Sequence, residues 1–224
     1  MMTIKTAMIL AAGRGERLRP LTQFIPKALC PVQGIPLIEY HLKNLIRAGY
    51  QRIVINHAYL GGKIRNQVGN GSRWGVEICY APEPPGGLET GGGIFNALPL
   101  LGNDPFLTVN ADIYTDFLFD KIALPYNSKT HLILISNPPQ NPKGDFGLDE
   151  QGKVTLNTKN FTFAGIALYS PEVFCKCKPG RFSATPLLRD LARTNQLTGQ
   201  IHRGIWHDIG SPERLELLNN IMKG

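Results

Sequence analysis

An unbroken apolar run at residues 6–11 (TAMILA) ends abruptly in Gly13-Arg14-Gly15, and no other feature of the chain constrains its fold as much. Apolar residues without polar alternation make a strand that is buried on both faces. Such a strand needs helices above and below it, and the following sequence supplies them in alternation. Residues 36–49 repeat Leu37, Tyr40, Leu42, Leu45 and Ile46 at helical spacing, with Pro at the start and Gly at the end. Residues 52–56, 76–80 and 106–110 read as further strands, and residues 62–68 and 90–98 as helices. The expected class is α/β, with a doubly wound mixed sheet.

After residue 125 the texture changes. Residues 131–136 form another apolar run, and residues 144–148, 153–156 and 161–169 read as shorter strands beyond a Pro/Asn-rich loop at 137–143. Two helices are expected at 185–195 and 211–222, with a short strand near 201–206 between them. The chain has no internal repeat and no low-complexity linker. At 224 residues it suits a single domain, with a β-rich lid over one end and a division near residue 125.

The charge points to a class of partner. The net charge is +7, and residues 1–35 hold Lys5, Arg14, Arg17, Arg19 and Lys27 against the single acid Glu16. Cations clustered beside glycines suit a phosphorylated small molecule. Nucleic acid would call for a longer basic stripe with exposed aromatics, so it is not expected as a partner. No run approaches the ~18 apolar residues of a membrane span, and a cytoplasmic protein is expected. Cys30, Cys79, Cys175 and Cys177 form no Cys-x-x-Cys pair and have no His at zinc spacing, so they read as reduced thiols.

The connection from Ala11 and Ala12 through Gly13, Arg14 and Gly15 to Glu16 and Arg17 lets backbone N–H groups approach an anion closely. It is neither a dinucleotide fingerprint, which needs a third glycine opening a long helix, nor a P-loop, which needs Gly-Lys-Ser/Thr. The alternative is a plain strand-to-loop turn with solvated arginines.

LAAGRGERLRPLT at 10–22, PKALCPV at 26–32 and PLIEYHL at 36–42 together resemble the spaced pattern of the sugar-1-phosphate nucleotidylyltransferases. These are Rossmann-like enzymes that join an NTP to a sugar phosphate and release pyrophosphate. LETGGGIFNALPLL at 88–101, Asn110-Ala111-Asp112 and WHDIGSPE at 206–213 continue the likeness over nearly the whole chain. Alanine stands at 111 where the family usually has glycine, and the common Glu-Lys-Pro is missing from the region around residues 157–165. No hexapeptide repeats follow. Within the family the likeness is greatest to short, single-domain uridylyltransferases.

The resemblance implies a nucleotide site built from Ala11, Ala12, Gly13, Arg14, Gly15, Lys27, Glu83, Glu89, Thr90, Gly91 and Asn110. Arg17, Lys27 and Asp112 would be catalytic, Asp112 and Asp208 would hold Mg2+, and Asp145 and Gly165 would lie on the sugar-phosphate side. UTP and a sugar 1-phosphate are the implied partners, handled by a monomer or small homo-oligomer. Local alternatives stand beside these roles. Asp112 would cap a helix from Tyr114, Asp208 would cap the helix after Ser211, Asp145 would fix a turn, and Glu83 and Lys27 would be solvated surface groups. Two other functions are open: a transferase for another acceptor, such as glucose or mannose 1-phosphate or phosphocholine, and a non-catalytic nucleotide-binding module. Two carboxylates kept with Arg17 and Lys27 disfavour the module.

Overall fold

The computed structural model describes residues 4–223. The first half runs β1 (Thr6–Leu10), a short helix α1 (Leu21–Phe24), the hairpin β2 (Pro31–Val32) and β3 (Ile35–Pro36), α2 (Leu37–Arg47), β4 (Arg52–His57), α3 (Gly61–Val68), β5 (Glu77–Pro82), α4 (Glu89–Leu101), β6 (Phe106–Asn110) and β7 (Ile113–Thr115). The second runs β8 (Thr130–Ser136), β9 (Gly147–Leu148), β10 (Val154–Thr155), β11 (Phe161–Tyr169), α5 (Thr185–Arg193), β12 (Leu197–Ile201), β13 (Trp206–Asp208) and α6 (Pro212–Ile221).

Seven strands form one sheet in the order β12-β8-β11-β6-β1-β4-β5. β1 is an interior strand, parallel to β4 on one side and to the central strand β6 on the other. Ala7, Met8 and Ile9 are fully buried, as the apolar run requires. Side chains alternate across the sheet. Ala7 and Ile9 join Leu42 and Leu45 of α2 in one core, while Met8 joins Ile94 and Ala97 of α4 in the other. A third, smaller cluster ties Leu18, Cys30 and Leu37 to Ile209 and Leu218, so the C-terminal helix packs against the first loop.

Residues 161–169 form the expected strand with the expected bounds, and β11 lies antiparallel between β6 and β8 in the main sheet. Its register shifts between Phe163 and Ala167, with Gly165 at φ +78. Two other readings are corrected. Residues 201–206 are not one strand. β12 ends at Ile201 alongside β8, and β13 then pairs antiparallel with β7. Tyr114 begins no helix. It sits in the middle of β7, so Asp112 caps nothing. β9 and β10 pair as a separate two-stranded sheet beside the main one.

Candidate active site

Parallel strands in an open α/β sheet present their carboxyl ends to ligands. A cavity of about 620 Å³ opens at that end of β1 and β6, lined by residues 10–16, Lys27, Asn56, Glu83, Glu89, Thr90, Asn110, Asp112 and Arg181, among others. This volume is in the range of small-molecule sites.

The loop after β1 forms one wall, and a side chain from β4 fixes its start. The Ala11 N–H donates to Asn56 Oδ1 (2.7 Å), and Asn56 Nδ2 donates to Glu83 Oε1 (2.6 Å). Glu83 Oε2 accepts the Leu88 N–H at 2.7 Å. Glu83 is therefore no solvated loop acid, since both of its oxygens brace the segment that leads into α4. The loop then turns through Gly15, whose carbonyl accepts the Thr22 hydroxyl at 2.7 Å. Arg14 lines the cavity and lies over the Tyr59 ring, 5.2 Å from its centroid. Arg17 is exposed on the following turn and does not line the cavity.

The three glycines of α4 are packed by protein atoms. A Cβ on Gly91 would stand 2.6 Å from the Phe182 ring, one on Gly92 2.3 Å from the Gly180 carbonyl, and one on Gly93 2.5 Å from Glu83 Oε1. Gly91 is buried and is not part of the cavity wall, unlike Glu89 and Thr90. Glu89 adopts a left-handed backbone (φ +61) and accepts from Arg181 Nε at 3.0 Å.

Lys27 and Asp112 face each other on the floor. Lys27 Nζ donates to Asp112 Oδ2, with the lysine side chain only 12% exposed, so it is not a solvated surface group. Asp208 does not line the cavity, but its backbone is brought beside Asp112. β13 pairs with β7 so that Asp208 lies opposite Ile113, and the Ile209 N–H donates to the Asp112 carbonyl at 2.8 Å. Asp208 does not cap α6. Ser211 does so by accepting the Arg214 N–H, while the Arg214 side chain grips Asp208.

Two titratable neighbours are held uncharged. Burial pushes the Cys30 thiol up to about 11, against the opposing pull of Lys27, so it is no nucleophile at neutral pH. Burial brings His41, behind β7, down to about 4, although a backbone hydrogen bond at Ile113 and the charge of Asp112 act the other way.

On the second-half side, Asp145 Oδ2 accepts the Phe163 N–H at 2.9 Å, and Oδ1 accepts from Asn141 at 3.1 Å. These contacts tie the loop before β9 to β11. Gly165 lets β11 pass close to Asn110, where a Cβ would stand 2.7 Å from Nδ2. Neither residue lines the cavity. Sequence reading missed Asn56, Gln140, Arg181 and Arg214. Asn56 alone left a signal, as a polar residue at the carboxyl end of a buried parallel strand.

The family model for nucleotidyl transferase matches residues 6–223. The chain is 50% identical over 219 residues to an N-acetylmuramate alpha-1-phosphate uridylyltransferase of Neisseria meningitidis, covering 94% of this chain and 95% of that one. It is 32% identical to an enzyme of the same name from Caulobacter vibrioides, covering 93% of both chains. The solved structure of a UDP-glucose pyrophosphorylase complexed with UDP-glucose superposes with a TM-score of 0.81 at 21% identity, over 98% of each chain, which establishes the shared fold.

Proposed function

We propose that this chain, which belongs to the nucleotidyl transferase family, moves a uridylyl group from UTP to N-acetylmuramate 1-phosphate, releasing pyrophosphate. The observation that carries the transferase chemistry is the meeting of the Gly13–Gly15 loop, Lys27 and Asp112 in one cavity at the strand ends. The choice of substrates rests on half the residues being shared with the Neisseria meningitidis enzyme. Such a reaction draws on the cytoplasmic nucleotide pool and would serve the recycling of cell-wall muramate.

A phosphate oxygen of the sugar phosphate attacks the α-phosphorus of UTP, and the bond from that phosphorus to the β-phosphate bridge breaks in line. Both reactants are anions, so the protein contributes positioning and charge neutralisation. Residues 13–15 line the cavity, and their amides would suit the β- and γ-phosphates, with Arg14 beside them and Arg17 exposed on the next turn. Lys27 is a compact cation held by Asp112, and it suits the α-phosphate, where charge builds up as the new bond forms. Glu83 and Asn56 set the position of the wall against which the base would lie.

The donor set favours a magnesium-like ion. Asp112 and Asp208, at the ends of paired strands, would hold it through hard carboxylate oxygens. Such an ion would supply neutralising charge to the phosphates. The test is pyrophosphate release with UTP and equal N-acetylmuramate, N-acetylglucosamine, glucose or mannose 1-phosphate, and then with GTP or dTTP replacing UTP. The highest kcat/KM should fall on UTP with the muramate substrate. Preference for another sugar or base would overturn the specificity and leave the class standing, whereas no turnover with any pair would overturn the class.

A further inference from the structure

Asp208 already has a cation. Arg214 Nη1 reaches both of its oxygens, 2.6 Å from Oδ1, and Gln140 Nε2 donates to Oδ1 as well. The paired side chains are 23% and 21% exposed, so solvent only partly screens them. Asp112 is matched in the same way by Lys27. Each of the two carboxylates therefore has its own cation before any ligand arrives.

The local sequence is built for this contact. Ser211 caps α6, which fixes its first turn and places Arg214 there. From that turn the guanidinium folds back across Gly210 to reach Asp208. A Cβ on Gly210 would stand 2.1 Å from Arg214 Nη2 and 2.9 Å from Asp208 Oδ2, so any larger residue would push the pair apart. Asp208, Gly210, Ser211 and Arg214 form one unit within DIGSPER.

We propose that Arg214 is a resident counter-cation that keeps the nucleotide-free protein from capturing a divalent metal and frees Asp208 only when the metal arrives with the nucleotide. The inference rests on the metal-dependent reading above. A bare divalent cation reaching Asp112 or Asp208 meets the positive charge already paired with that carboxylate. A metal–triphosphate complex arrives with excess negative charge, and its phosphate oxygens offer both side chains a new partner as the carboxylates turn to the metal. Arg214 thus positions Asp208 and sets the order of entry.

The experiment is Mn2+ binding followed by EPR of the free ion, on the whole protein, with and without UTP. Wild type should show no site tighter than millimolar alone and should gain one with UTP. Without UTP, Arg214→Met should bind Mn2+ tighter by on the order of tenfold or more. Arg214→Lys, which keeps the charge, should stay near wild type, and adding Asp208→Asn to Arg214→Met should abolish the gain. Tight Mn2+ binding by nucleotide-free wild type would overturn the proposal even if the variants fail to fold, as would unchanged or weaker binding by folded Arg214→Met. Wild type that binds no Mn2+ even with UTP would sink the metal-dependent reading, and this proposal with it.

Discussion

Gly93→Ala should destabilise the protein, although helix propensity alone predicts the reverse. Gly93 lies inside α4, where alanine is favoured over glycine by about 1 kcal/mol. The added methyl, however, would fall 2.5 Å from Glu83 Oε1 and 2.9 Å from Asn56 Nδ2. To clear it, Glu83 must release at least one of its bonds to Asn56 and the Leu88 N–H. Hydrogen bonds to a charged group contribute about 1.5–3 kcal/mol each. Losing one to two of them outweighs the propensity gain and leaves a net loss of about 2 kcal/mol. In a chain of this length that is a fall in Tm of roughly 4–8 °C. Asn56 also holds the Ala11 N–H, so the loop loosens and the KM for UTP should rise with it. The control is Gly62→Ala, inside α3 with no atom within 4 Å of the new Cβ, which should raise stability by about 0.5–1 kcal/mol. Urea and thermal unfolding of both variants decide the matter. If Gly93→Ala is as stable as Gly62→Ala, then Glu83 does not brace the wall and the steric argument is wrong.

Lys27→Ala should lower turnover on the order of 10²-fold, with Lys27→Arg recovering only part of it; wild-type kinetics for Lys27→Ala would return the residue to a structural pairing role. Asp112→Asn and Asp208→Asn should each cost on the order of 10²-fold in kcat, measured by pyrophosphate release across a magnesium titration, and near-normal rates at low magnesium would remove them from the reaction. His41 titrates at about 4 in the folded chain against 6.5 when free, so only the unfolded state takes up its proton between those values. Stability should be unaffected by His41 above pH 6.5 and should fall by up to about 3 kcal/mol toward pH 4. His41→Leu should flatten that slope in urea titrations, and parallel slopes for the two proteins would show that His41 is not responsible.

The sequence announces what is local and periodic. β1 is legible because Ala7–Leu10 are apolar without interruption, and α2 because its buried residues recur at helical spacing with Gly49 after its end. β7 is only three residues long, too short for any period to declare itself, so Tyr114 reads equally well as the start of a helix. At the site, the glycine loop, Lys27 and Asp112 stand out by their spacing. The three glycines of α4 are equally visible as a motif, but their reason is not. The neighbours that forbid a side chain there, Phe182, Gly180 and Glu83, lie elsewhere in the sequence, and two of them some 90 residues away. The same holds for Arg214 and Gln140, which meet at Asp208 through tertiary packing that leaves no periodic trace.

The position of β11 determines where this polypeptide can be cut. Ile166–Tyr169 are registered against Phe106–Val109 of β6, so the chain's later half closes what would otherwise be the open flank of the earlier half. Scission near residue 125 would leave β6 with a bare row of backbone donors and acceptors, and would uncover fully buried residues such as Leu107 and Val109. A naked ladder of that kind recruits other chains. The two fragments made separately should therefore aggregate, and made together they should reassociate through the β6–β11 seam. Inserts that leave the two parts joined would be borne at exposed tips that carry no ladder, such as the turn around Tyr126 and Asn127.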